Sequence, residues 1–279
     1  QIKPVLTTEG PVLVLAGAGS GKTRVLTSRI AYLIAEKDVP PEAILAITFT
    51  NKAANEMKER IGQIVDARGM WVCTIHSMCV RILRMYASEA GLNQNFSIYS
   101  ETERANIIKK SFQECDFDDE KLLKNVKWHI ANAKMLGLSP AEYAEENAKE
   151  REIDDVTKVY ARYQAHLREN NALDFDDLLN EARQLLKRNE EARGYLGGRF
   201  RYILVDEFQD TNAVQFEIVK LLASVHGNLF VVGDDDQSIY KFRGATIENI
   251  LSFEKQYRGA KVIRLEQNYR STQSILNAA

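Results

Sequence analysis

The chain has 279 residues, of which 45% are hydrophobic and 27% are charged, and its formal net charge is −2. These values are typical of a globular protein with one or two domains, and no apolar run approaches the roughly 18–20 residues of a membrane span. We therefore expect a cytoplasmic protein without a membrane segment. The three cysteines lack metal-ligand spacing, which argues against a zinc site. The near-neutral net charge permits a nucleic-acid partner but does not establish one.

Six short runs have the composition of β-strands. Most are almost continuously apolar and alternate with helical patterns, which indicates a parallel sheet covered by helices on both faces. The strand runs are 12–15, 44–49, 71–75, 202–205, 229–232 and 262–265. The helical patterns lie at about 22–36, 51–66, 77–90, 212–225 and 246–256. The predicted fold class is therefore α/β.

More than 120 residues with almost no strand pattern separate the third and fourth runs. Amphipathic segments fill this gap and end near Asp174–Asp177, at about 101–114, 119–136, 140–147 and 153–170. We therefore predict an all-helical subdomain at 91–182, inserted between a first part (1–90) and a second part (183–279) of the α/β core.

A phosphate-binding loop is predicted directly after the first strand. Its glycines let backbone N–H groups surround an anion, and the helix that follows adds partial positive charge at its N-terminus. Lys22 is expected to reach the β- and γ-phosphates, and Thr23 to hold Mg²⁺. The alternative is a glycine-rich turn without a ligand. The motif consists of Ala16 (where the consensus has glycine), Gly17, Ala18, Gly19, Ser20, Gly21, Lys22 and Thr23.

An acidic pair, Asp206 and Glu207, follows the fourth strand. In an open parallel sheet, ligands bind beyond the carboxyl ends of the strands, so both side chains are expected at the phosphate site. Asp206 is expected to hold Mg²⁺, and Glu207 to activate the attacking water as a general base. The alternative is an exposed acidic loop. Together with the upstream loop, the pair predicts hydrolysis of a nucleoside triphosphate.

Seven blocks give the chain a close resemblance to the superfamily 1 DNA helicases of the UvrD/PcrA/Rep type. They cover nearly the whole chain in the order of that family: AGAGSGKT, ITFTNKAANEM, TIHS, LDFDDLL, VDEFQDT, GDDDQSIYKFRGA and LEQNYRS. The resemblance implies a RecA-like P-loop NTPase core that hydrolyses ATP with Mg²⁺. It further implies translocation on single-stranded DNA in the 3′ to 5′ direction, unwinding of duplex DNA, and a second RecA-like domain outside this sequence.

The resemblance also implies roles around the nucleotide. Gln1 resembles the glutamine that reads the adenine base, while Arg24 and Tyr269 resemble an arginine and a tyrosine that pack on its two faces. Gln237 resembles the sensor of the γ-phosphate. Arg270 resembles an arginine that stabilises charge on the transferring phosphoryl group.

The DNA contacts implied by the resemblance combine aromatic rings with hydroxyl groups and cations, which suits single-stranded DNA. Phe242 stands where many relatives have tryptophan. Phe49 could instead be a core residue, and His76 a structural histidine or phosphate contact in place of a catalytic base. The implied residues are Phe49, Thr50, Asn51, Thr74, His76, Tyr240, Phe242 and Arg243.

We expect the N-terminal half of a DNA helicase, which folds alone but is nearly inactive without the second domain that completes the ATP site. Two other functions remain open. One is the helicase part of a helicase–nuclease, and the other is a nucleotide-dependent DNA-binding module without productive turnover.

Overall fold

The computed structural model describes residues 1–17, 19–234 and 248–269 of the chain. The strands of these residues are β1 (Val12–Ala16), β2 (Ile44–Thr48), β3 (Trp71–Thr74), β4 (Ser97–Ile98), β5 (Ala172–Leu173), β6 (Tyr202–Val205), β7 (Leu229–Gly233) and β8 (Lys261–Leu265). The helices are α1 (Ile2–Leu6), α2 (Lys22–Glu36), α3 (Asn51–Gly62), α4 (Ile75–Met85), α5 (Glu101–Glu114), α6 (Glu120–Leu136), α7 (Pro140–Glu146), α8 (Ile153–Glu169), α9 (Phe175–Arg188), α10 (Glu190–Arg199), α11 (Ala213–Ala223) and α12 (Glu248–Gln256).

Two compact units divide the chain. The first unit contains Gln1–Met78 and the described residues from Asn189 onward, and the second contains Cys79–Arg188. The predicted insertion, 91–182, lies within the second unit. The second unit contains more residues at both ends than the predicted insertion, because it includes the later part of α4, which ends at Met85, and all of α9, which ends at Arg188.

The first unit is built on a six-stranded sheet in the order β3-β2-β6-β7-β1-β8, and every neighbouring pair is parallel. The interior strands β2, β6 and β7 are buried along their whole length, which agrees with their largely apolar sequences. Parallel pairing brings all carboxyl ends to one edge of the sheet. The described residues that directly follow each strand therefore lie along that edge.

The α/β class predicted for a RecA-like core is confirmed, and each of the six predicted strands occurs within one residue of its predicted bounds. The helix predicted at 51–66 ends earlier, at Gly62, and the one predicted at 77–90 runs over Ile75–Met85. Of the predicted helix 246–256, the described part begins at Glu248. No helix within the described ranges is long and apolar enough to cross a membrane.

The second unit is a bundle of helices whose ends are defined by their sequence. Ser100 and Ser139 each form a capping box, at the starts of α5 and α7, and Asp119 caps α6. The end of α6 needs Gly137, which has φ 72°, and an ideal Cβ there would lie 2.5 Å from an Arg183 nitrogen.

The prediction that this region is all-helical is wrong in one detail. Strands β4 and β5 form a short parallel ladder, in which the Ser97 and Tyr99 amides donate to the carbonyls of Asn171 and Leu173. The sequence did not indicate this ladder because two residues per strand are too few for a recognisable alternation of apolar and polar side chains.

A buried ion pair joins α6 to the segment that begins α9. Lys134 is 1% exposed, and its Nζ lies 2.6 Å from Asp174 Oδ2 and 2.8 Å from Asp177 Oδ2. Tyr163 also donates its hydroxyl proton to Asp174. Burial opposes the ionisation of Asp174, but the Lys134 ammonium outweighs it and holds the pKa of that carboxyl below its usual range.

Replacing Lys134 with alanine is therefore expected to lower the free energy of unfolding by about 3–5 kcal/mol, because two buried carboxylates lose their nearest cation. Urea unfolding measures the change. The control is Lys124→Ala, since Lys124 is an exposed lysine on the same helix. A loss below about 1 kcal/mol for Lys134→Ala would contradict the expectation, because it is the size of an exposed pair.

Candidate nucleotide site

The predicted phosphate loop joins β1 to α2. Ala16 is the buried last residue of β1, so its methyl group packs in the sheet where the consensus has glycine. The loop turns back at Ser20, whose amide and hydroxyl both donate to the Gly17 carbonyl, at 3.2 and 2.7 Å. Gly19 and Gly21 have φ of 74° and 90°, the left-handed region that favours glycine. Helix α2 starts immediately afterwards, at Lys22, so its free N–H groups lie beside the loop.

Lys22 lies between two carboxylates that follow neighbouring strands. Its Nζ is 3.4 Å from Glu207 Oε2, after β6, and 3.5 Å from Asp234 Oδ2, after β7. The Lys22 side chain is 12% exposed and that of Asp234 is 1% exposed. The structure thus brings together Lys22 and Glu207, which the motifs predicted, and adds Asp234, which was not proposed as a site residue.

Asp206 lies at the carboxyl end of β6 and is 8% exposed. Its burial, with the charge of Glu207, raises the pKa of Asp206 to about 6. The same two causes raise the pKa of Asp210 to about 6, and Asp210 Oδ1 is buried with no hydrogen-bond partner among the described residues. A cation that binds beside carboxylates with raised pKa values stabilises their ionised form.

Gln209 connects the two acidic motifs. It is 2% exposed, its Nε2 donates to Glu207 Oε2 at 2.7 Å, and its Oε1 accepts from the Asp234 amide at 3.0 Å. Glu207 itself has φ 49°, so its backbone adopts an uncommon left-handed conformation at the start of the 3-10 turn Phe208–Asp210. Gln209 lies within the acidic motif VDEFQDT but was not among the predicted site residues.

Three residues predicted to contact the base surround the loop. The Gln1 Nε2 donates to the Ser20 carbonyl at 2.6 Å, and the Tyr269 amide donates to the Gly19 carbonyl at 2.9 Å. The Tyr269 side chain is 66% exposed and Arg24, in the first turn of α2, is also exposed. The side chains of Arg24 and Tyr269 are therefore accessible to a ligand, as stacking on a base requires.

The donor set fits Mg²⁺ with a triphosphate. Mg²⁺ prefers oxygen ligands and binds through one or two carboxylates together with substrate phosphates. The buried Asp206 carboxylate, with its raised pKa, and the Thr23 hydroxyl in the first turn of α2 are oxygen ligands of this kind.

The predicted DNA residues that are described lie at or just after the carboxyl ends of β2 and β3, the two strands at one side of the sheet. Phe49 is half-buried, while Thr50 and Asn51 are exposed, and Thr50 caps α3 by accepting from Ala53. Thr74 is 9% exposed and its hydroxyl bonds to that of Ser77 at 2.9 Å.

His76 is half-buried, and its burial lowers the pKa of the imidazole. A lower pKa favours the neutral imidazole, which donates one hydrogen bond through its N–H and accepts one at its other nitrogen.

Six predicted residues lie outside the described part of the chain. They are Ala18, Gln237, Tyr240, Phe242, Arg243 and Arg270.

Comparison with known proteins identifies relatives over the whole chain. Residues 1–258 match the family described as the UvrD/REP helicase N-terminal domain. The chain is 52% identical over 282 residues to the ATP-dependent DNA helicase PcrA of Staphylococcus aureus strain Mu50, covering 100% of this chain and 38% of that protein. It is 51% identical over 281 residues to PcrA of Staphylococcus epidermidis strain ATCC 35984, with the same coverage. The chain, which spans 38% of the length of these relatives, belongs to the UvrD/REP helicase N-terminal domain family.

Proposed function

We propose that this chain is the ATP-hydrolysing N-terminal part of a DNA helicase that moves 3′ to 5′ along single-stranded DNA and unwinds duplex DNA. The proposal rests on the position of Lys22, the first residue of the helix after the glycine loop. Its Nζ lies within 3.5 Å of two carboxylates that follow neighbouring strands. A cation and carboxylates at one helix N-terminus form a site for a triphosphate, its metal ion and a water molecule.

Each described residue has a distinct part in hydrolysis. Lys22 binds the β- and γ-phosphates, and the free N–H groups of the loop and of α2 bind phosphate oxygens. Glu207 orients the attacking water and accepts its proton. Asp206 and Thr23 would hold Mg²⁺, which neutralises charge on the phosphates.

Beyond the described residues, Gln237 is proposed to sense the γ-phosphate and Arg270 to stabilise charge in the transition state. Around the base, Gln1 is proposed to read its edge, while Arg24 and Tyr269 pack on its faces.

DNA is proposed to bind along the side of the sheet formed by β2 and β3. Phe49 supplies a ring for a base, and the exposed Thr50 and Asn51 supply polar groups for phosphates. Thr74 and His76 are proposed to belong to this surface, and Tyr240, Phe242 and Arg243, which lie outside the described residues, are also proposed to contact the DNA. We further propose that the unit Cys79–Arg188 is a subdomain inserted into a cytoplasmic, RecA-like motor, and that a second RecA-like domain completes the ATP site.

The test is ATP hydrolysis by the full-length protein, with and without single-stranded DNA, in parallel with the 279-residue chain. We expect DNA-stimulated hydrolysis by the full-length protein and rates near background for the 279-residue chain. Absence of DNA stimulation in the full-length protein would contradict the proposal. The direction of movement is measured on two partial duplexes, one with a single 3′ overhang and one with a single 5′ overhang. Unwinding of only the 5′-overhang substrate would contradict the proposed direction.

Gln209→Leu is expected to lower the hydrolysis rate about tenfold while leaving nucleotide affinity nearly unchanged, because leucine cannot bond to Glu207 or to the Asp234 amide. Steady-state kinetics and a nucleotide titration measure the two quantities. The control is Gln256→Leu, at the last residue of α12. Equal losses of affinity and rate would show that Gln209 supports the fold of the site and does not specifically position Glu207.

A further inference from the structure

The chain before β1 reaches the phosphate loop through its first residue. Gln1 donates to the Ser20 carbonyl at 2.6 Å, and an ideal Cβ on Gly21 would lie 2.5 Å from Gln1 Nε2. The Gln1 amide therefore lies directly over the turn at the start of α2. It carries a second N–H and a carbonyl oxygen, which is the donor–acceptor pair that suits the edge of adenine.

Helix α1, which follows Gln1, cannot hold this position by itself. It has five residues, and an isolated helix of this length is unstable in water. Its Thr7 amide closes the last turn on the Lys3 carbonyl, and only Pro4 among its residues is buried. The place of the segment must therefore come from contacts with the rest of the first unit.

Arg29 provides three such contacts from within α2. Its Nη1 donates to the Pro4 carbonyl at 2.8 Å and to the Thr7 carbonyl, and its Nη2 donates to the Thr8 carbonyl at 2.9 Å. The guanidinium lies 4.2 Å from the centre of the Phe230 ring in β7, and the side chain is 1% exposed. One buried side chain thus connects the segment after Gln1 to both α2 and the central sheet.

Burying the charged side chain of Arg29 costs free energy, which its hydrogen bonds have to offset. Desolvation lowers the pKa of Arg29 to about 10, although Tyr202 and Glu9 partly offset this effect. Neutral carbonyl acceptors compensate a buried cation less well than a carboxylate does. An apolar residue would fill the same space, so the gain from arginine is the fixed geometry of three backbone carbonyls.

We infer that Arg29 is a positioning residue for base selection: it fixes the segment 4–8 on helix α2 and thereby holds Gln1 where it meets the base of the nucleotide. This inference rests on the proposed function, in which Gln1 reads adenine. Because Arg29 lies seven residues after Lys22 on the same helix, the phosphate contacts and the base contact share one rigid support. Loss of Arg29 therefore affects selection of the base more than binding of the triphosphate.

The experiment compares Arg29→Met, Gln1→Ala and the double variant in the full-length protein. Methionine fills a similar space but donates no hydrogen bond. Displacement of a fluorescent ATP analogue gives the Kd for ATP and the Kd for GTP. The readout is the GTP/ATP ratio of these Kd values, which measures the preference for ATP. We expect each single variant to reduce the preference for ATP about fivefold to tenfold, the effect of one or two neutral hydrogen bonds. The double variant is expected to show no further reduction, since both changes act through Gln1.

A control separates this role from a general loss of stability. Leu222→Ala removes a fully buried side chain from α11, outside the core cluster against which Val5 packs, and it is expected to leave the GTP/ATP ratio unchanged. Hydrogen exchange of residues 2–8 is expected to increase in Arg29→Met and not in Leu222→Ala. If Arg29→Met does not fold, Arg29→Lys, which keeps the charge with fewer donors, is expected to show a smaller shift in the same direction.

The outcomes separate the inference from the proposed function. The inference would be overturned, and the proposed function left intact, if folded Arg29→Met kept the full preference for ATP while Gln1→Ala lost part of it. Full preference for ATP in Gln1→Ala would overturn the inference together with the proposed reading of adenine by Gln1, because Arg29 would then have no base contact to position. If the unaltered protein binds neither nucleotide, the proposed function itself is wrong.

Discussion

Replacing Lys22 with alanine is expected to abolish ATP hydrolysis by the full-length protein and to weaken binding of Mg·ATP. Lys22 carries the positive charge that lies 3.4 and 3.5 Å from the carboxylates of Glu207 and Asp234. Without it, the triphosphate enters a site where four carboxylates, those of Asp206, Glu207, Asp210 and Asp234, follow neighbouring strands. Like charges repel strongly in a partly buried site, so both the ground state and the transition state lose stabilisation.

Two measurements test this expectation: a nucleotide titration for Kd and a steady-state assay for turnover. Lys37→Ala is the matched control, since Lys37 is an exposed lysine that directly follows the same helix. A folded Lys22→Ala protein with unchanged affinity and turnover would show that the glycine loop does not bind phosphate. Circular dichroism confirms that the variant is folded before either number is interpreted.

The strands were predictable because each is a short, continuous apolar run bounded by turn residues or helical patterns. Val12–Ala16 and Leu229–Gly233 have no polar residue, as burial on both faces requires. From the order of these strands and the residues after them, the sequence also predicted that Lys22 and Glu207 share a site. Parallel pairing alone brings these two residues to one edge.

Helix α9 was missed although its sequence contained the necessary pattern. Leu178, Leu179, Ala182, Leu185 and Leu186 recur at helical spacing, and all five are buried. The acidic residues at 174–177 were interpreted as the end of a helical segment. In the structure Asp176 and Asp177 lie in the first turn of α9, where acidic side chains are favourable.

The contacts of Gln209 and Asp234 could not be predicted from local patterns. Gln209 joins residues that are 2 and 25 positions away, and its burial follows from packing that no local pattern records. The same holds for Lys134, whose partners lie 40 and 43 residues further along the chain. A buried polar side chain is recognisable in a sequence only when its partner can be named, and these partners come from tertiary structure.

Glu207→Gln is expected to separate nucleotide binding from hydrolysis. Glutamine has nearly the size of glutamate but cannot accept a proton from water, and loss of a general base lowers turnover by about 100-fold or more. Nucleotide is expected to bind still, because Lys22 and Asp206 remain. A bound nucleotide that is hydrolysed slowly would also let DNA affinity be measured in the ATP-bound state.

The contacts of Glu207 make this substitution more than a loss of one proton acceptor. In the unaltered protein, Glu207 Oε2 accepts from Gln209 Nε2 at 2.7 Å and lies 3.4 Å from Lys22 Nζ. A glutamine can keep the bond to Gln209 only through its carbonyl oxygen, which directs its amide group elsewhere in the site. Lys22 loses an anionic neighbour at the same time, so its charge is more available to phosphate. Affinity for Mg·ATP is therefore expected to be unchanged or higher.

Single-turnover hydrolysis and a nucleotide titration on Glu207→Gln measure the two effects separately. The control is Glu254→Gln, an exposed glutamate on α12, which is expected to change neither. A fall in turnover of less than tenfold would mean that Glu207 is not the base. The half-buried Asp210 would then be the next carboxylate to test, because burial and the charge of Glu207 raise its pKa to about 6, close to the pH at which a general base works best.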